Sequence, residues 1–360
     1  MILTLDKNLF GKIYPYIEDE NVTDIKWNGT TLWINDLNKG RYMAVEDDGT
    51  PIKLENDWIT IFCSRIANSV NENFNISEPS LKAETPELRI QAEHNSVSGD
   101  NTFALAIRKT PRVSRLAHQD LVANGYADKL TYALLPCLMR ARLSGVITGD
   151  VGSGKTELTK YMCSFIPKVD GVVTVEDTSE LRLKELYPNM DIYPMRITES
   201  FTADSAIRDA LRLMTKWLII AEARGREITR VMEGASTGCA ALTSIHAENT
   251  WEIPDRIMNM AGDDARKGFE NDVYSFFDYA IKVKAEVTDH GIFRSIDQIA
   301  FFDRYNGKNT TVVFMKNGKL TGERLPKRIE SKLQENKERE FLKMYVEAIS
   351  ELQKSKENKA

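Results

Sequence analysis

The run Gly149-Asp150-Val151-Gly152-Ser153-Gly154-Lys155-Thr156 constrains this chain more than any other feature. It has the form G-x-x-x-x-G-K-[ST], follows the apolar stretch SGVIT, and opens a helical pattern from Lys155 to Phe165. A loop of this kind needs a buried strand before it and a helix N-terminus after it, so it dictates a strand–loop–helix unit. Its glycines let the backbone wrap closely round phosphates and present N–H groups at the positive end of a helix dipole. In such a loop Lys155 reaches the β- and γ-phosphates of a nucleotide and the Thr156 hydroxyl ligates Mg²⁺. A Gly-rich turn that matches by chance would not also carry Lys-Thr between the right flanks.

The segments around it alternate. An apolar helix is expected from about Leu130 to Leu143, then the strand SGVIT, the helix from Lys155, and the strand GVVTV. A helix from Asp204 to Met214, the strand WLIIA and a helix starting at Ile228 follow. Strand–helix alternation predicts an α/β fold, a mainly parallel sheet covered on both faces. Beyond Asp289 the stretches FRSIDQIAFFD, TTVVFM and KLTG, separated by Asn306-Gly307 and Asn317-Gly318, read as an antiparallel addition.

The first hundred residues read as a smaller α+β domain. DIKW and TTLWI flank Asn28-Gly29 as a hairpin with a two-residue turn, and RYMAV and PIKL flank Asp47-Asp48-Gly49 as a second. Trp58, Ile61, Phe62, Ile66 and Val70 recur at helical spacing behind Asn56-Asp57, which predicts a helix to about Phe74. ELRIQA and TFALAIRK are expected strands. The division is therefore an N-terminal domain over 1–110, a polar linker over 111–119, a P-loop domain over 120–326 and a charged helical tail over 327–360. In the tail, Phe341, Tyr345, Ala348 and Leu352 form an amphipathic stripe. Its ordinary reading is a helix packed on the core; the rival is a docking helix for a partner.

Composition narrows the function class. Lys plus Arg number 48 against 53 for Asp plus Glu, a net charge of −5, which argues against a nonspecific nucleic-acid binder. Cys63, Cys137, Cys163 and Cys239 are far apart without a C-x-x-C pair, which excludes a zinc ribbon and fits a reducing cytosol. The opening MILTLDKNLF lacks the pattern of a secretory signal, and no apolar run approaches about 20 residues, so a soluble cytoplasmic protein is expected.

Two strands end in carboxylates. WLIIA runs into Glu222, expected on a strand beside the P-loop strand, where such folds place a residue for the Mg²⁺ shell or the attacking water. GVVTV ends in Glu176-Asp177. No N-K-x-D signature for guanine is present, since Asn336-Lys337-Glu338-Arg339 fails at its last position, which favours ATP over GTP.

With these residues in place the chain resembles the secretion traffic ATPases, the hexameric motors of type II secretion, type IV pili, tight-adherence pili and conjugative type IV secretion. Four boxes stand in that family's order: the P-loop, VTVEDTSEL (an aspartate box), LRLMTKWLIIAEARG (a degenerate Walker B) and TGCAALTSIHAENT (a histidine box). ELRIQA and LAIRK resemble the family's N-terminal strands, and IPDRI its continuation after the histidine. The E-D-T-x-E-L form is nearer the conjugation and tight-adherence branches. Two features depart from the pattern: Ala221 stands for the usual glycine, and Lys216-Trp217 for the usual Pro-Asp.

What the resemblance implies is a RecA-like P-loop motor domain preceded by a smaller α+β domain, binding ATP and Mg²⁺. Gly149, Asp150, Val151, Gly152, Ser153, Gly154, Lys155 and Thr156 would hold phosphates, with Thr156 on Mg²⁺. Glu222 would serve the water or the Mg²⁺ shell, Glu176 would be the general base, and His246 a γ-phosphate sensor. Arg89 and Arg108 would clamp phosphate charge from the N-terminal domain, and Arg224 joins the nucleotide-binding residues.

The implied partners are five further copies in a homo-hexamer, platform proteins of the inner membrane, and a cargo protein, pilin or protein–DNA complex. The expected location is the cytoplasmic face of that membrane, peripherally, with no direct sequence-specific nucleic-acid binding. A hexameric nucleic-acid motor of the helicase type and a non-hydrolysing scaffold are the rival readings. His94, His118 and His290 are expected to be structural or surface residues, and Trp27, Trp33, Trp58, Trp217 and Trp251 core or interface.

Overall fold

The computed structural model describes residues 7–85, 87–110, 113–116, 119–288 and 291–357. The chain divides into two compact units. One comprises Met1–Arg112 and Glu286–Phe293; the other comprises Val113–Ala285 and Arg294–Ala360. His118, His290 and part of the expected linker, including Pro111 and Arg112, lie outside the described residues.

The first unit carries short helices α1 (Lys7–Phe10) and α2 (Tyr14–Glu18), then β1 (Val22–Trp27), β2 (Leu32–Asp36) and β3 (Gly40–Met43). Helix α3 (Asn56–Ser69) leads to β4 (Ser80–Glu84), β5 (Leu88–Glu93) and β6 (Ala104–Lys109). The strands form one antiparallel sheet in the order β3-β2-β1-β6-β5-β4. Alternation sends Ile25, Trp27, Leu32, Ile34, Ile90 and Ile107 into a core shared with Ile59, Phe62 and Ile66 of α3. The opposite face of the sheet is polar and carries Asp24, Lys26, Asn35, Arg41, Arg89 and Arg108 around a cavity of about 420 Å³.

Three local expectations change here. The β1–β2 pairing starts at Trp27↔Leu32, so Asn28–Thr31 is a four-residue loop. It is held by Asn28 Oδ1, which accepts from the N–H groups of Thr30 and Thr31. RYMAV pairs with β2 rather than with PIKL. The expected second hairpin is reduced to the bridge Val45↔Pro51, where the Glu46 N–H donates to the Thr50 carbonyl (2.8 Å) and the Ile52 N–H to the Ala44 carbonyl (3.1 Å). Helix α3 ends at Ser69 rather than Phe74, since Asn71 takes φ +58°, a left-handed conformation that terminates helices.

The second unit opens with α4 (Lys129–Arg140), capped by Asp128, whose Oδ1 accepts from the N–H groups of Leu130 and Thr131. Next come β7 (Gly145–Thr148), α5 (Lys155–Cys163), β8 (Val172–Glu176), α6 (Leu183–Leu186), β9 (Ile192–Arg196) and α7 (Ala203–Ala210). They are followed by β10 (Trp217–Ile220), α8 (Ile228–Ser236), β11 (Ala240–Ser244), α9 (Ile253–Ala261) and α10 (Phe269–Phe276). Strands β12 (Tyr279–Thr288), β13 (Gly291–Tyr305), β14 (Lys308–Lys316) and β15 (Lys319–Leu320) precede helices α11 (Lys327–Glu335) and α12 (Arg339–Glu357).

The sheet order is β15-β14-β13-β12-β7-β11-β10-β8-β9. The six strands from β12 to β9 run parallel, and β13, β14 and β15 add antiparallel pairs at one edge. Successive residues bury on opposite faces. Trp217 and Ile219 pack with α4 and α5, while Leu218 and Ile220 pack with α7 and α8. Both faces being covered, the strands read as continuous apolar runs, as a parallel sheet requires.

Strands β9 and β12 are additions to the sequence reading. Pro194 inside β9 speaks against a strand, yet at a sheet edge it leaves no inner ladder broken. Helix α7 stops at Ala210, short of Met214, which takes φ +52°.

Residues 327–357 fold onto the sheet. Phe341, Tyr345 and Ile349 are buried beside Leu134 and Leu138 of α4, and the Tyr345 hydroxyl donates to Glu330 and accepts from the Leu325 N–H. The buried stripe thus continues through Ile349, with Ala348 and Leu352 only half-buried at its margin. Among the described residues no helix is long and apolar enough to cross a membrane.

Candidate functional site

The loop from Gly149 to Gly154 joins β7, central in the parallel sheet, to α5, so it sits at the carboxyl edge where open α/β sheets bind ligands. Gly149, Gly152 and Gly154 take φ of +142°, +80° and +102°. A Cβ at Gly149 would stand 2.2 Å from the Val283 carbonyl oxygen, so only glycine fits. Lys155 Nζ donates to the carbonyls of Gly149 (2.7 Å) and Asp150 (3.0 Å), folding back over the loop. Burial pushes the Lys155 ammonium below the usual lysine range, an effect that Glu222 and Asp150 partly offset.

Four elements converge at the same edge. Thr148 Oγ1 at the end of β7 donates to the Ala247 carbonyl (2.8 Å) and accepts from the Ala247 N–H (3.0 Å), which ties the segment after His246 to the P-loop strand. Ser244 at the end of β11 donates to the Ala221 carbonyl (2.5 Å), and the Ala223 N–H donates to the Ser244 carbonyl (2.9 Å). These bonds place His246 Nε2 2.9 Å from Glu222 Oε1. The other oxygen of Glu222 accepts from Arg224 (Nε at 2.8 Å, Nη2 at 2.6 Å), and Arg224 Nη1 reaches Asp177 Oδ2 at 3.1 Å.

One detail of the sequence reading is corrected. The strand that ends before Glu222, β10, is not beside the P-loop strand, because β11 lies between them. Glu222 is therefore brought toward Lys155 by the turn after β10, fastened to β11, and not by strand adjacency.

Glu176 occupies a different environment. It is buried at the tip of β8, and its Oε2 accepts from the N–H groups of Glu180 (2.9 Å) and Leu181 (2.8 Å). Desolvation pushes its carboxyl up to about 7, against those two hydrogen bonds and the nearby Lys160 ammonium. Of the two carboxylates closing β8, Asp177 is the one bonded to Arg224.

Arg89 and Arg108 are register partners on β5 and β6, on the polar sheet face of the first unit. Arg108 Nε donates to Asp24 Oδ1 at 2.8 Å. His94 is structural: it accepts from the Ser96 N–H and lies edge-on to Phe74 and Phe103. Trp27 and Trp217 are buried, Trp58 stacks on Phe62, and Arg41 and Lys316 lie over Trp33 and Trp251.

Sequence reasoning missed Arg294, whose Nε and Nη2 each lie 3.3 Å from the Gly152 carbonyl oxygen. It stands in the apolar strand FRSIDQIAFFD, 140 residues beyond the loop, and no local signal marks it.

The residues suit a nucleotide phosphate with a hard divalent ion. The Ser153 hydroxyl is buried with no hydrogen-bond partner among the described residues, at a helix N-terminus that favours anions. No group of three or more His, Cys, Asp or Glu side chains that could hold a metal occurs among the described residues. Thr156 supplies a hydroxyl and Glu222 a carboxylate, oxygen donors that suit Mg²⁺ shared with phosphate and water rather than an all-protein cage.

Residues 81–275 match the family described as Type II/IV secretion system protein. An uncharacterized protein of Bacillus anthracis is 26% identical over 330 residues, covering 86% of this chain and 72% of its own length. Type IV secretion system protein VirB11 of Brucella suis biovar 1 is 26% identical over 264 residues, 65% of this chain and 71% of that protein. The crystal structure of the pilus retraction motor PilT with bound ADP covers 93% of this chain and 88% of its own, at 17% identity and a TM-score of 0.59, a likeness of fold. With an α/β P-loop unit of this topology behind a smaller N-terminal unit, the chain belongs to the type II/IV secretion system protein family, the secretion ATPases.

Proposed function

We propose that this protein is a Mg²⁺-dependent ATP hydrolase that acts as a hexameric motor for a type IV secretion, conjugation or related pilus-assembly machine. The observation that carries the reading is the meeting of Lys155, Glu222 and His246 at one sheet edge, with Glu222 bridging His246 and Arg224. The description of VirB11 as a type IV secretion system protein and of PilT as a pilus retraction motor supports it.

In this reading the loop N–H groups and Lys155 bind the β- and γ-phosphates. Mg²⁺, when bound, would neutralise charge on the phosphate oxygens, held by Thr156 directly and by Glu222 directly or through water. Glu222 holds His246 in place, so that its ring detects the γ-phosphate through loss or gain of that contact. Glu176, held near neutral proton affinity by burial, is the general base, since a base of pKa near the working pH is the most effective. Arg89 and Arg108 of the first unit clamp phosphate charge that grows in the transition state. The chain itself would reach the membrane by docking on partner proteins, and its location would be cytoplasmic and peripheral.

The direct test is phosphate release from Mg-ATP by purified protein. Lys155→Ala is expected to abolish it, and full activity in that variant would overturn the hydrolase reading.

A further inference from the structure

The phosphate loop has little to hold its crest. Val151 and Gly152 are exposed, and a Cβ built at Gly152 would meet nothing within 4 Å. What touches the crest comes from across the sheet. Arg294, on β13, points Nε and Nη2 at the Gly152 carbonyl oxygen, both at 3.3 Å, and its Cδ lies 3.5 Å from where a Cβ on Gly154 would stand. The aliphatic stem thus runs beside the loop and the guanidinium closes over its outer side.

A trans peptide is planar, with its C=O and N–H on opposite edges. Fixing the Gly152 carbonyl outward therefore fixes the Ser153 N–H inward. There it donates to the Asp150 carbonyl at 3.2 Å, and Lys155 Nζ also bonds to that carbonyl oxygen. These internal bonds are the ones a phosphate oxygen would replace.

The environment of Arg294 also points to an anion. Its guanidinium is half-buried and faces a like charge, Arg115, with Glu157 as the opposing charge. Glu157 is already engaged by the Lys160 ammonium (2.9 Å) and the Arg115 N–H (2.9 Å). A phosphate anion would ease the repulsion between Arg294 and Arg115.

We propose that Arg294 is a positioning residue of the nucleotide site, locking the Gly152–Ser153 peptide with its N–H toward the bound phosphates. The inference rests on the nucleotide reading above. It assigns β13 a part in the chemistry that none of the four motif boxes records.

The test is titration with N-methylanthraniloyl-ADP, followed by fluorescence, for the wild type, Arg294→Met, Arg294→Lys and Lys155→Ala, with ATP turnover and thermal unfolding measured alongside. Arg294→Met keeps the stem and removes the donors. It is expected to raise Kd about tenfold, a change of about 1.4 kcal/mol, and to raise KM for ATP by a similar factor while kcat moves less. Arg294→Lys, which keeps one donor, should fall between. Unchanged affinity in Arg294→Met overturns the role of Arg294, and so does a loss that Arg294→Lys shares in full. A shift in the nucleotide-free unfolding temperature that accounts for the whole loss assigns Arg294 to folding and also overturns it. Wild-type protein that fails to bind the probe overturns the nucleotide reading instead.

Discussion

At the scale of single residues, the site works by placing ionisable groups where water does not set their behaviour. Lys155 loses solvent and gains two carbonyl partners; Glu176 loses solvent and is held near pKa 7. For Glu176 the sign of the linkage is definite. Its folded pKa lies above the unfolded value, so the folded state is favoured below about pH 4.5 and that advantage is lost as pH rises through about 7. Above pH 7 the buried carboxylate costs on the order of 3 kcal/mol. Glu176→Gln keeps an oxygen to accept from Glu180 and Leu181, so it should raise the melting temperature at pH 8 by several degrees and change it little at pH 5. If Glu176 is the general base, as proposed, the same variant should lose turnover at least 100-fold. An equal melting shift at both pH values would disprove the titration argument, and undiminished turnover would remove Glu176 from the chemistry.

At the scale of elements, α11 and α12 complete one face of the sheet. Phe341, Tyr345 and Ile349 lie against α4, Arg140 meets Glu338 at 2.6 Å, and Arg328 binds the buried Asp278 that precedes β12. Removing Phe341, which is 3% exposed, leaves a cavity between α12 and the core. Phe341→Ala should cost about 3–5 kcal/mol in urea unfolding with little change in m. A cost below about 1 kcal/mol would mean that α12 is not part of the cooperative core. Gly149→Ala makes the complementary point, because its Cβ has no room beside the Val283 carbonyl and φ is +142°. It should abolish binding of fluorescent ADP, and retained affinity would show that the loop relaxes around the methyl.

At the scale of the whole molecule, the two units divide the labour differently. The first exposes a row of charged side chains on an antiparallel sheet, while the second buries a parallel sheet on both faces and gathers reactive groups at its carboxyl edge. If the motor reading holds, sedimentation velocity in Mg-ATP should show a species near six times the 40.9 kDa chain mass, growing with concentration. A strict monomer under those conditions would count decisively against a ring. For Arg108, paired with Asp24 on the exposed face, Arg108→Ala should lower turnover with the unfolding transition unchanged. Unchanged turnover would remove the clamp.

What the sequence by itself determined was local and periodic. Gly149, Gly152, Gly154 and Lys155-Thr156 announce their loop because each meets a steric or electrostatic need that few residue types meet. The apolar runs SGVIT, GVVTV and WLIIA announce a doubly covered parallel sheet because both faces are dry. What only tertiary structure decided was adjacency. The placement of β11 between β7 and β10, the ladder position of β9 with its proline, and the return of α12 onto α4 depend on partners far away in sequence. Arg294 is the sharpest case. A single arginine in a strand has no periodicity to give it away, and its carbonyl partner at Gly152 is fixed by how β13, β12 and β7 lie side by side in the sheet. A residue's chemistry is written in its side chain, but the atom it acts upon is chosen by the fold.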